Sequence, residues 1–158
     1  MNKKPHPSVF KIWNNFILIN PKYKNISMPE FYYFCDNEKD ANDCAQLVVD
    51  GVKRATSTSM WWFETYEQPL PKIGDLGIVT NWEGIAKAII QTIKIEQTPF
   101  NKITPEYAKI EGEGDKSLAY WNKVHWGYYN REMHEKGQHP TENMLLVCEQ
   151  FKTICINK

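Results

Sequence analysis

"LPKIGDLGIVTNWEGIAKAIIQTIKIEQ", residues 70–97, is the stretch on which the fold turns. Leu76, Ile78 and Thr80 alternate with their neighbours at the period of two that marks a strand, and Asn81-Trp82-Glu83-Gly84 supplies turn residues. A long alternating run from Ile85 to Glu96 follows, so the stretch predicts a β-hairpin. A second alternating run, "MLLVCEQFKTICI" at 144–156, predicts at least one more strand. The chain before the hairpin changes period. Residues 8–19 bring Val9, Ile12, Trp13, Phe16 and Ile17 to one face of a short helix, expected to be a lid or outer helix, and "NPKYKN" then breaks it. From Glu38 to Val49, Ala41, Cys44, Ala45 and Val48 repeat at helical spacing, with Gly51 as the stop. The fold class is therefore α+β: helices, a β-rich core, and a helical insertion before the final strand.

The length of 158 residues suits one domain, read as an N-terminal helical extension over residues 1–27 and a single globular unit over 28–158. Nineteen basic residues balance nineteen acidic ones, which removes the global positive field behind indiscriminate nucleic-acid binding and confines any nucleotide contact to a local site. The four cysteines, Cys35, Cys44, Cys148 and Cys155, form no CxxC pair and read as reduced thiols of a cytoplasmic protein. No apolar run reaches the ~18 residues of a membrane span, and no membrane partner is expected.

The insertion contains "YAKIEGEGDKSLAYW", residues 107–121, with Glu111, Glu113 and Asp115 at alternating positions. Thr104 is a good N-cap, Pro105 suits the first helical position and Gly112 marks a stop, so a helix is expected over 105–111. Glu111 then faces the negative end of the helix dipole, at a cost of roughly 0.3–1 kcal/mol unless a cation lies beside it. Asp115 is expected to N-cap a second helix over 116–135, which carries Leu118, Trp121, His125, Tyr128 and Met133 along one face. The pattern lacks the glycine and the late glutamate of a calcium loop, and no metal or other cofactor is expected.

"GVKRAT", residues 51–56, places Lys53 after a helix-ending glycine and three residues before Thr56. In a flat strand these two side chains would point to opposite faces, so a joint role requires a bend, which Gly51 would ease. His125 is a weaker candidate, because a histidine on a Trp-rich helix face is more often hydrogen-bonded and half-buried than catalytic. In "WWFETYEQPLP", Trp61 and Trp62 either wall a base pocket or pack into the core.

These elements together resemble the ASCH (activating signal cointegrator homology) domain family, a branch of the PUA-like fold. The resemblance rests on "GVKRATSTS", "LPKIGDLGIV", "AKAIIQTIKIEQTPF", "YAKIEGEGDKSLAYWNKVHWGYY" and "LLVCEQF", in that order, over roughly residues 28–156. It implies a small, strongly bent β-barrel surrounded by helices, with a cleft lined by the Gly-x-Lys motif, and a nucleoside, nucleotide or RNA ligand. Some compact members remove the acetyl group of N4-acetylcytidine with a Lys, a Thr three residues on, and a Glu after a short helix. Carried across, these are Lys53, Thr56 and Glu111. The chain departs from such enzymes in its N-terminal helix and in the large insertion.

Two functional expectations follow. In the first, an amide of a modified nucleoside or similar compound is hydrolysed. Either burial lets Lys53 take the proton of Thr56, or Lys53 stays charged and stabilises an oxyanion while Glu111 acts as base. Arg54, Trp61, Trp62, Glu113 and His125 are the expected substrate contacts. In the second, the protein is an RNA- or nucleotide-binding module, or a ribonuclease, with Lys53 and Arg54 on phosphate and Trp61, Trp62 or Trp82 stacked on a base.

Overall fold

The computed structural model describes residues 4–158; residues 1–3 of the expected N-terminal extension lie outside them. Five strands form one sheet, ordered β1-β3-β4-β5-β2: β1 Phe31–Tyr32, β2 Ala55–Ser59, β3 Leu76–Thr80, β4 Ala86–Pro99 and β5 Leu145–Ile156. The helices are α1 Pro7–Ile19, α2 Glu38–Val49, α3 Met60–Thr65, α4 Pro105–Glu111 and α5 Leu118–His134. The α+β class holds, but the expected closed barrel does not. Closure needs a hydrogen-bonded ladder between the two edge strands, and here the edges are β1 and β2. With two residues, β1 is too short to offer one, and its ladder goes to β3.

The chain packs as two compact units. The first comprises the chain up to Gly51, with Asp75–Gln91 and Lys152–Lys158. Its centre is the predicted hairpin: β3 pairs antiparallel with β4, Leu76 opposite Gln91 and Ile78 opposite Ile89, with a bulge at Val79/Thr80. Ile78 and Val79 are both fully buried, so β3 is covered on both faces instead of one. Pro7 occupies the start of α1, and the His6 side chain accepts the Ser8 N–H as its cap. Val9, Ile12, Trp13 and Phe16 of this helix share a core with Ile78, Ala86 and Ile89. The helix is thus a wall of this unit, burying side chains worth roughly 1.5–3 kcal/mol each. In α2, Asn37 caps the N-terminus through Asp40 N–H, and Ala41, Cys44, Ala45 and Val48 are the buried face, as the spacing predicts.

The second unit comprises Val52–Gly74 and Thr92–Phe151. Here β2 pairs antiparallel with β5, Ala55 opposite Gln150 and Ser59 opposite Leu146. Thr104 caps α4 through Tyr107 N–H, Pro105 is its first residue and Gly112 closes it in the left-handed conformation, all as expected. Two local features differ from the sequence reading. Residues 60–65 form a helix, capped by Ser59, in a stretch to which the sequence reading assigned no helix. Ser117, not Asp115, caps α5, and Asp115 instead accepts the Ser117 N–H at 2.9 Å to shape the preceding turn. Ser117's hydrogen bonds hold the exposed Asp115 carboxyl below its ordinary range. The core of this unit is aromatic, built from Phe100, Tyr107, Trp121 and Tyr129 with Ala55, Ile103, Ala108, Leu146 and Cys148.

A candidate active site around Lys53

The site lies wholly within the second unit and begins with backbone placement. Arg54 donates its N–H to the Ile110 carbonyl of α4 and accepts the Phe151 N–H of β5, both at 2.9 Å, which pins the Lys53 segment between the helix end and the strand. Gly112 makes the approach feasible: a Cβ there would lie 2.5 Å from the Val52 carbonyl oxygen. The C-terminus of α4 therefore meets the backbone immediately before Lys53, and Glu111 and Lys53 are brought together.

Lys53 is 1% exposed. It donates to the Ala55 carbonyl at 2.8 Å and to Glu113 Oε1 at 2.6 Å, with Glu111 Oε1 at 3.7 Å completing an ion triad. Glu111 is equally buried and more densely bonded. Trp121 Nε1 donates to Oε2 at 2.5 Å, and His125 Nε2 donates to Oε1 at 2.9 Å. Ser57 Oγ lies 3.0 Å from both Glu111 Oε2 and Tyr107 Oη. Tyr107 spends its own proton on the Thr56 carbonyl at 2.9 Å, and the serine proton is directed to the stronger acceptor, the carboxylate.

The protonation states follow from this geometry. Both ring nitrogens of His125 lie at 2.9 Å from acceptors, the Trp121 carbonyl and Glu111, an arrangement that a doubly protonated imidazolium satisfies. Burial pushes the His125 pKa down, but the Glu111 charge and hydrogen bond, with the Glu113 charge and the Trp121 carbonyl, raise it overall. Burial would push Glu111 up; the charges of His125 and Lys53 and the donors His125 and Trp121 outweigh it and bring the carboxyl to about 2. The unfavourable helix-end position of Glu111 is thus offset by two cations. Tyr107 and Tyr129 are held well above 10 by burial and then by the Glu111 charge, so both act as neutral donors.

Four of the expected residues, Lys53, Glu111, Glu113 and His125, meet in this network. Thr56 does not join them. Along β2 the residues alternate buried and half-buried, Ala55, Ser57 and Ser59 on the inner side and Thr56 on the other. The hydroxyl in contact with Glu111 is that of Ser57, which the sequence reading missed although strand parity alone separates it from Thr56. Trp121 and Tyr107 were also missed; their signal was an aromatic four residues before His125 and another four before Glu111. The Arg54 side chain is exposed. Trp61 and Trp62 of α3 pack around Tyr66, the residue that follows the helix, with centroid distances of 6.2 and 5.9 Å. Trp82 belongs to the first unit and packs on Tyr33 at 4.8 Å.

The parity makes a direct prediction. Ser57→Ala removes a donor from a buried carboxylate and is expected to cost about 1–3 kcal/mol, whereas Thr56→Ala is expected to cost under about 1 kcal/mol. Urea unfolding of the two variants distinguishes them, and equal losses would contradict the assignment of Ser57 to the network.

Glu111, Glu113 and His125 also present ligand atoms within 4.8 Å of one another, the spacing of a metal-binding group. Lys53 Nζ already bonds into this group, so the chain's own ammonium fills the cation position between the two carboxylates. Among the described residues no buried side-chain nitrogen or oxygen lacks a hydrogen-bond partner, and no helix is long and apolar enough to cross a membrane.

Comparison with known proteins places this geometry in a family. The ASCH domain model matches residues 30–155. The crystal structure of an ASCH domain from Lactobacillus crispatus JV V101 is similar at 32% identity and a TM-score of 0.88, over 96% of this chain and 97% of that one. Protein EF3133 from Enterococcus faecalis V583, described under the family model DUF984, is similar at 32% identity and a TM-score of 0.85, over 94% of this chain and 89% of that one. No curated protein matches. With four-fifths of its length under the family model, and with the Gly-x-Lys segment and the α4 glutamate meeting in one buried network, the chain belongs to the ASCH domain family.

Proposed function

We propose that the protein hydrolyses an amide on an acylated nucleoside or a similar small compound, with Lys53 as the charged oxyanion partner and Glu113 as the base. The observation that carries this reading is the Lys53–Glu113 contact of 2.6 Å between a side chain 1% exposed and one 12% exposed. It couples a desolvated cation to a carboxylate at the mouth of the network. Buried ion groups add little stability over an apolar filling of the same volume, so a cluster of two cations and two anions in a small domain calls for a chemical reason.

The division of labour follows from charge. Glu111, with a pKa of about 2, is too weak a base to remove a proton near neutral pH, and it serves to hold Lys53 and His125 in place. Glu113 lies on the loop after α4, where Gly112, Gly114 and Lys116 all take left-handed backbone conformations. Water attacks the amide carbon while Glu113 takes its proton, and the oxyanion that forms is stabilised by Lys53. The carbon–nitrogen bond then breaks as the same proton passes to the leaving nitrogen, giving an acid and an amine. Lys53 and His125 balance Glu111 and Glu113, so the cluster is neutral overall. A neutral amide is therefore favoured over a phosphodiester, whose charge would gain no net attraction. The half-buried Trp61 and Trp62, on the helix that follows β2 directly, supply aromatic faces for the nucleobase.

A screen of N-acylated nucleosides for release of the free acid tests the reading. Glu113→Gln is expected to lower kcat/KM by about 10²–10⁴-fold when assayed below its own, lowered melting temperature, where the variant is still folded. Full activity in that variant would remove Glu113 as the base, and inertness of the wild type toward every acylated nucleoside would overturn the function.

A further inference from the structure

We propose that Cys35 and Cys44 form a thiol–disulfide exchange site that takes a low-molecular-weight disulfide and closes into an intramolecular disulfide. The site lies in the first unit and does not depend on the hydrolysis proposed above. The two sulfur atoms touch at 3.6 Å, and neither cysteine is in a disulfide. Their environments differ: Cys44 is buried on α2, whereas Cys35 is half-exposed in the turn before it.

The backbone at Cys35 supplies a second, independent observation. Its φ is +68°, the left-handed region that a residue with a side chain rarely adopts and that glycine occupies freely. The chain places a cysteine at this strained position, and the strained conformation is the one that sets its sulfur against Cys44. Strain of this kind persists where a particular side-chain placement is useful.

Exposure fixes the order of events. The Cys35 thiolate attacks one sulfur of the external disulfide, breaking its sulfur–sulfur bond; one small thiolate leaves and takes up a proton. The Cys44 thiolate, already in contact, then attacks the Cys35 sulfur of the mixed disulfide and expels the second small thiolate. The protein loses two protons and two electrons, and the external disulfide is reduced to two thiols. The new bond spans the N-terminus of α2, tying the turn that contains its Asn37 cap to the helix body. Phe31, Tyr32 and Tyr33, just upstream of that turn, line a cleft of about 840 Å³ together with Trp82 and Glu30, so oxidation stiffens one rim of this cleft.

The test uses the whole chain incubated with oxidised glutathione, quenched with acid and weighed intact. The expected product is lighter by two hydrogens, carries no glutathione, yields a peptide joining Cys35 to Cys44, and reverts with dithiothreitol. Cys44→Ser is expected to stop at one glutathione adduct on Cys35, whereas Cys35→Ser is expected to remain unmodified at Cys44. Should Cys44→Ser fail to fold, the half-exposed Cys35→Ser variant still carries the comparison. An unchanged wild-type mass, a persistent wild-type glutathione adduct, or a bridge involving Cys148 or Cys155 would overturn the proposal.

Discussion

Lys53→Met is expected to lower folding stability by about 3–5 kcal/mol, a large share of the roughly 5–15 kcal/mol of an ordinary domain. Methionine keeps the apolar stem and nearly the volume, so the loss isolates the charge from any cavity. Without the ammonium, the Glu111 and Glu113 carboxylates face one another in a desolvated site, and the Ala55 carbonyl loses its donor as well. Truncating one member of a buried ion group leaves the others uncompensated, which costs far more than the group contributes as a whole. The triple variant Lys53→Met, Glu111→Gln, Glu113→Gln should accordingly recover a large part of the loss. Urea unfolding at neutral pH measures both, and a single-variant loss under about 1 kcal/mol would show that the network is not an energetic unit.

The second large effect is a stability maximum bounded on both sides by this network. Glu111 has a folded pKa of about 2 against 4.5 for the free group. The unfolded chain takes up this proton first, so the carboxylate's contribution is complete above about pH 4.5 and is lost as pH falls toward 2, about 3 kcal/mol in all. His125 is shifted the other way, raised from 6.5. Its contribution is complete below 6.5 and is lost as pH rises through the higher folded value. Stability from the pair is therefore greatest between about 4.5 and 6.5. Urea midpoints measured across that range and beyond should fall on both flanks. Glu111→Gln should flatten the acid flank and His125→Gln the alkaline one. A wild-type profile that keeps rising above pH 7 would contradict the imidazolium assignment for His125.

Much of the architecture was legible because it rests on local chemistry. The hairpin follows from alternation on either side of a four-residue turn, and α4 begins and ends where Thr104, Pro105 and Gly112 dictate, since capping satisfies backbone groups within a few residues. The same reasoning misplaced the cap of α5. Asp115 and Ser117 are both competent caps two residues apart, and the choice between them depends on how the left-handed residues Gly114 and Lys116 route the chain. Barrel closure was illegible for a different reason: whether β1 and β2 pair depends on the length and position of two strands far apart in sequence, not on either strand's pattern.

The candidate site divides along the same line. The family resemblance carried by "GVKRAT" and "AKIE" implied Lys53 and Glu111, with Glu113 beside them as a possible contact, whereas the local pattern alone favoured an ordinary exposed lysine at a strand end. Their union was beyond the local pattern. Lys53 and Glu113 stand 60 residues apart, and they meet because Arg54 bonds to Ile110 while Gly112 admits the Val52 carbonyl. Ser57 replaces Thr56 in the network because pairing with β5 sets which face of β2 turns inward, and a shift of one residue would exchange them. Local sequence thus specified the elements and the charged groups. Long-range packing specified which groups meet and in which protonation state, because a pKa depends on burial and on neighbours that the chain order does not reveal.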